Sequence, residues 1–148
     1  MEAIPIRNAR VVVLALAGST LMISGVFVFL RVGRVGPVSE AGRLLAIVVP
    51  LLVLANTAIY VLLRRGVVAR VRPQGSTALE TLRSGSLPRE FLQLTLIGCA
   101  LAESVGLLGG IAYFLGAPPF LLAAPALALL AILAQFPTSE RCEALLTD

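Results

Sequence analysis

The sequence predicts an all-α membrane protein: a four-helix transmembrane bundle with both termini in the cytoplasm. Three observations carry this expectation. The 148-residue chain is 58% hydrophobic and only 14% charged, whereas an ordinary soluble domain is about a quarter charged. Four apolar runs reach or approach the roughly 20 residues that cross a hydrocarbon core of about 30 Å. The arginines gather at the ends of those runs, unevenly on the two sides.

The first run, 11–30, lies between Arg10 and Arg31. Arg7 and Arg10 precede it, as basic residues precede a secretory signal. The run is too long for such a signal and no A-x-A site follows it, so it reads as an uncleaved first span. The second run, 44–63, lies between Arg43 and Arg64 and contains Pro50. The third, 91–115, follows Arg89 and Glu90; Ser86 reads as its cap, with Pro88 in the first turn. The fourth, 119–136, is the shortest and stops at Pro137. Pro50 and Pro125 inside apolar runs read as kinks of the kind that membrane helices tolerate. The loop 64–90 has room for a short interfacial helix over 78–83, capped by Ser76 or Thr77. The tail 137–148 has room for a last short helix starting at Ser139. The whole of 1–148 is thus one transmembrane domain.

Orientation follows from basic residues in short loops. Arg7 and Arg10 precede the first run; Arg64, Arg65, Arg70, Arg72, Arg83 and Arg89 lie between the second and third; Arg141 follows the fourth. The opposite side has Arg31, Arg34 and Arg43, and its second turn, Gly116-Ala117-Pro118-Pro119, is uncharged. The bias places both termini and the middle loop in the cytoplasm. All twelve basic residues are arginine, a usage that fits a GC-rich bacterial genome. The expected location is the bacterial inner membrane, crossed several times.

The two halves are weakly alike. A shift of eighty positions lays Leu14, Leu16, Gly18, Leu21 and Ser24 on Leu94, Leu96, Gly98, Leu101 and Ser104. Two readings account for this: chance between apolar helices, or two helical hairpins in parallel repeat.

Glu103 is the residue most in need of explanation, because it falls in the middle of the third run. A charge at the bilayer centre costs roughly 2.5–3.5 kcal/mol on insertion scales, and such residues face the bundle interior. Gly98, Ala102, Gly106 and Gly110 form a ladder of small residues four apart, which lets helices approach closely. Cys99, Glu103, Gly106, Gly110 and Tyr113 share a face by their spacing. Glu103 therefore borders a close-packed face. It reads either as a packing carboxyl or as a proton or cation site with Asn56, Ser19, Ser24 and Cys99 as candidate neighbours. Tyr60 shares a helix face with Asn56.

At Gly98-Cys99-Ala100-Leu101-Ala102-Glu103-Ser104 and the Gly-Leu segment after it, the third run resembles the ion-binding helix of rotary ATPase proteolipid (c-type) subunits. The resemblance implies proton or cation translocation through Glu103. In those proteolipids the carboxyl lies on the second helix of a hairpin; here it lies on the third run, the first of its hairpin. Ala100-Leu101-Ala102-Glu103, with Phe136-Pro137-Thr138-Ser139-Glu140-Arg141, is also similar to small bacterial four-helix integral membrane proteins of unassigned activity. That likeness implies a fold alone.

Enzyme chemistry has little to stand on. There is no His, no C-x-x-C, no H-E-x-x-H and no G-x-S-x-G. Cys99 in the third run and Cys142 in the tail cannot form a disulfide framework. No cofactor or metal is expected. The net charge of +4 belongs to arginines spread over helix ends beside lipid headgroups, and not to a nucleic-acid surface. The expected partners are the lipid bilayer and either further copies of the chain or a larger membrane complex. The leading expectation is a non-enzymatic accessory or assembly subunit, and the alternative is an ion-translocating one.

Overall fold

The computed structural model describes residues 3–32, 39–71, 80 and 86–138. The expected interfacial helix and tail helix, with Arg34, Arg141 and Cys142, lie outside these apart from the isolated Glu80. The elements are β1 (Ala3–Pro5), α1 (Ile6–Val32), α2 (Glu40–Val71), β2 (Ser86–Pro88), α3 (Arg89–Phe114), a 3-10 turn (Pro119–Leu122) and α4 (Ala123–Ala134). The chain is an all-α four-helix bundle with one small two-stranded ribbon.

Three helices are long and apolar enough to cross a membrane: α1 with 27 residues, α2 with 32 and α3 with 26. Each exceeds its predicted run because flanking polar residues continue the helix. Hydrocarbon forces a helix to close its backbone bonds, whereas the hydrated headgroup region only permits it, so apolarity does not set the helix end. The predicted fourth span becomes the 3-10 turn followed by a 12-residue α4, shorter than a full span. Pro125 falls in the first turn of α4, where helical N–H groups lack intrahelical partners anyway. It is not a mid-helix break. Pro50 does lie inside α2, which continues through it. Ser86 is not at the start of α3, which begins at Arg89. It lies in β2, which pairs antiparallel with β1 in the register Ala3 to Pro88 and Pro5 to Ser86.

The helices alternate in direction. Ser19, Phe27 and Arg31 of α1 meet Glu103, Gly110 and Tyr113 of α3 in rising order, so α1 and α3 run parallel. Asn56 meets Leu101 while Gly42 meets Leu115, so α2 runs against α3. Gly109 meets Ala124 and Gly98 meets Gln135, so the fourth segment also runs against α3. The ribbon joins the chain just before α1 to the chain just before α3.

The centre of the bundle is α3, which packs against all three other helices, while α1 also packs on α4. In its most apolar window α3 is 39% buried, against 17% for α1 and 11% for α2. Helix α2 rests on α3 and scarcely touches α1 or α4. A groove flanks it on the side toward α4. Three apolar clusters hold the bundle. Ile6, Ala9, Val71 and Phe91 close one end. Val13, Ala17, Cys99 and Ile132 join α1, α3 and α4. Val49, Val105, Ala112, Ala117, Leu121 and Ala124 join α2 to α3 and the start of the fourth segment.

The ends of α3 and α2 are finished by polar contacts that apolar periodicity does not announce. Gly116, at φ 98°, ends α3. The Ala117 N–H then donates to Ala112 O at 3.0 Å and the Gly116 N–H to Tyr113 O at 3.1 Å, the paired bonds of a Schellman turn. Ser39 caps α2 by accepting from the Gly42 N–H at 3.0 Å. Its own hydroxyl donates to Leu115 O at 2.8 Å, so the start of α2 docks on the end of α3. Gly42 is required there, since a Cβ would lie 2.7 Å from Leu115 O.

Candidate functional site

The polar side chains inside the bundle come in two groups on opposite sides of one stretch of α3. On the α1 side, the Ser19 hydroxyl donates to Glu103 Oε1 at 2.7 Å. Glu103 is partly buried. It shares its helix face with Ala100 and Leu107, at spacings of three and four, and Ala100 is exposed. The carboxyl thus lies beside an exposed stretch of α3. Ser19 also lies 2.9 Å from Leu16 O. A serine hydroxyl has one proton and here faces two oxygens that can accept it.

On the α2 side, Asn56 Nδ2 donates to Leu101 O at 2.8 Å and to Ser104 Oγ at 3.1 Å. The Ser104 hydroxyl in turn donates to Leu101 O at 2.8 Å. Leu101 lies in mid-helix, and its carbonyl accepts from these side chains with lone-pair capacity that its helical bond leaves over.

The four expected neighbours of Glu103 are therefore not gathered into one site. Ser19 is beside it. Asn56 is on the other side of α3, because adjacent positions such as 103 and 104 are separated by about a quarter turn or more. Ser24 has its oxygen buried with no hydrogen-bond partner among the described residues. Cys99 is fully buried between α1, α3 and α4, with its sulfur 4.0 Å from Gln135 Oε1.

The small-residue ladder winds between partners. A Cβ on Gly98 would meet Gln135 Oε1 at 2.0 Å and the Tyr60 ring at 2.7 Å. Ala102 packs with the α1–α4 cluster. A Cβ on Gly106 would meet Ala128 at 3.0 Å and Thr20 at 3.1 Å, and one on Gly110 would meet the Phe27 ring at 2.9 Å. Gly109, outside the ladder, makes the close contact with α4: its Cβ would lie 2.6 Å from that of Ala124. The four-residue ladder spirals relative to a neighbouring helix, so a three-residue step continues the seam.

Two arginines that the sequence marked only as loop charges finish the bundle. The Arg31 guanidinium donates to Tyr113 O and, at 3.3 Å, to Ala117 O, and lies 4.5 Å from the Tyr113 ring centre. A cation at a helix C-terminus complements the carbonyl end of the dipole. Arg10 donates to Pro137 O at 3.2 Å and lies 5.6 Å from the Phe136 ring centre. Along α1 these arginines stand about 32 Å apart at about 1.5 Å per residue. The fourth segment runs beside α1 from the Arg31 end, at Ala117, to the Arg10 end, at Pro137.

Between α2 and α4, over α3, lies a groove of about 430 Å³. Its walls are mostly apolar, but Asn56, Thr57, Tyr60 and Gln135 also line it.

The three long apolar helices and the hydrogen-bonded polar side chains between them define a small polytopic membrane protein. No family model, curated protein or solved structure matches the chain.

Proposed function

We infer that the protein is a non-enzymatic membrane subunit that receives a partner transmembrane helix over Glu103, from another copy of itself or from a larger complex. One observation carries this reading. The Glu103 carboxyl is only partly buried, on a helix face it shares with the exposed Ala100, and Ser19 is its hydrogen-bond partner among the described residues. A carboxyl turned toward hydrocarbon costs a few kcal/mol, roughly 2.5–3.5 on insertion scales. One interhelical hydrogen bond offsets about 0.6 kcal/mol on average. A polar side chain on a second chain supplies the balance. The excess of arginine at the Arg10 end orients that end to the cytoplasm of a bacterial inner membrane. The test is native mass spectrometry from mild detergent. The wild type is expected as an oligomer or with a bound partner, and Glu103→Leu as a monomer. A wild type that is monomeric and partnerless removes the reading.

The second reading is proton or cation movement through Glu103, supported by the single Ser19 proton between two acceptors. A protonated Glu103 donates to Ser19 Oγ while Ser19 donates to Leu16 O. An ionised Glu103 accepts from Ser19 instead. Both states are hydrogen-bonded after one hydroxyl rotation. This reading expects dicyclohexylcarbodiimide to modify Glu103, and Glu103→Gln to abolish proton or sodium flux in proteoliposomes. Equal flux in the folded variant and the wild type eliminates it.

A further inference from the structure

The groove between α2 and α4 is amphipathic along its length. Val53, Val105 and Leu127 line its deeper part; Thr57, Tyr60 and Gln135 line the part toward the Arg10 end of the bundle. On α2, Val53, Thr57, Tyr60 and Arg64 follow one another at spacings of four, three and four residues, which is one helix face. Arg64 is exposed and stands about 6 Å beyond Tyr60 along the axis. The order from mid-membrane outward is therefore apolar, then hydroxyl and amide, then cationic. A phospholipid has the same order: acyl chain, ester carbonyls, phosphate. The depth of the groove at its polar part depends on Gly98, where any side chain would overlap both Tyr60 and Gln135.

We propose that this groove binds an anionic phospholipid, with one acyl chain between α2 and α4, its ester region at Thr57, Tyr60 and Gln135, and its phosphate at Arg64. Three features favour a lipid over a partner helix. The volume of about 430 Å³ falls in the range of small-ligand sites, roughly 300–1,000 Å³. The Tyr60 hydroxyl and the Gln135 amide sit at one end of the groove, where a lipid's ester carbonyls need donors, while the Thr57 hydroxyl donates to Val53 O at 2.7 Å. Basic residues beside clefts between membrane helices hold anionic headgroups. Glu103 bonds Ser19 of α1 and does not line this groove, so the site is separate from the face proposed above for a partner.

The test is native mass spectrometry of the full-length, delipidated protein titrated with phosphatidylglycerol or phosphatidylcholine. Wild type is expected to bind phosphatidylglycerol about tenfold more tightly. Ala131→Trp fills the groove from an exposed wall position and is expected to lose the bound lipid at unchanged helicity. Leu127→Trp, also exposed, replaces it if the first variant does not fold. Arg64→Gln is expected to keep lipid binding and lose the headgroup preference. Inorganic phosphate is expected not to compete, because the chain contributes to binding. The proposal is overturned if groove filling leaves occupancy unchanged, if the two lipids bind equally, if phosphate alone competes, or if a second copy protects the groove from lipid in the wild type.

Discussion

Ser19 on α1 and Glu103 on α3 are joined by a 2.7 Å hydrogen bond across 84 residues of sequence. It is the polar tie between two parallel helices whose other contacts there are apolar or glycine-mediated. Ser19→Ala is expected to cost about 1 kcal/mol of stability, within the range for interhelical bonds in membranes. It is also expected to speed carbodiimide modification of Glu103 by freeing the carboxyl. Unchanged thermal unfolding in detergent together with an unchanged labelling rate would show that the bond does not persist.

Glycines in the bundle should divide sharply. A Cβ at Gly109 would lie 2.6 Å from the Ala124 Cβ and 3.0 Å from Pro125 Cδ, with backbone nearby. Gly109→Leu is expected to destabilise by at least about 1–3 kcal/mol, the usual cost of overpacking. A Cβ at Gly18 or Gly25 would meet nothing within 4 Å. Gly18→Ala is expected to be neutral or stabilising by up to about 1 kcal/mol, since alanine is the better helix former. Circular-dichroism melts in micelles compare the two.

Asn56 should be the residue that fixes how α2 sits on α3. Asn56→Leu removes both bonds of the clamp while keeping the bulk. The expected loss is about 0.6–1.7 kcal/mol. Disulfide cross-linking between cysteines placed at 49 and 112 should slow in the variant. An unchanged cross-linking rate would assign the seating of α2 to the Val49 cluster alone.

Arg31→Gln should loosen the end of α3, through loss of a cation at the helix C-terminus and of the contact with the Tyr113 ring. The dipole contribution alone is about 0.3–1 kcal/mol. Arg31→Lys should recover the charge but only part of the stability, because the planar fork and the stacking are gone. Hydrogen exchange at the amides of 113–117 reads the effect. Equal protection in all three forms would show that the Schellman turn holds this end unaided.

Hydropathy and arginine placement by themselves determined that this is an all-α chain with membrane-length helices. Burying an apolar run in lipid requires only local composition, because every backbone group is satisfied within the helix. The sequence also marked Glu103 and the small residues around it, since a carboxyl and a glycine ladder stand out against leucine. Tertiary structure alone decided which side of α3 each helix takes. That choice separated Asn56 from Glu103, gave Gly109 a contact that the four-residue ladder assigns elsewhere, and turned Arg10 and Arg31 into clamps. It also opened the groove at Tyr60 and Gln135, two residues 75 positions apart. Apolar faces of membrane helices are nearly interchangeable to lipid. The pairing of helices therefore depends on a few close approaches and hydrogen bonds, which exist only between residues distant in sequence.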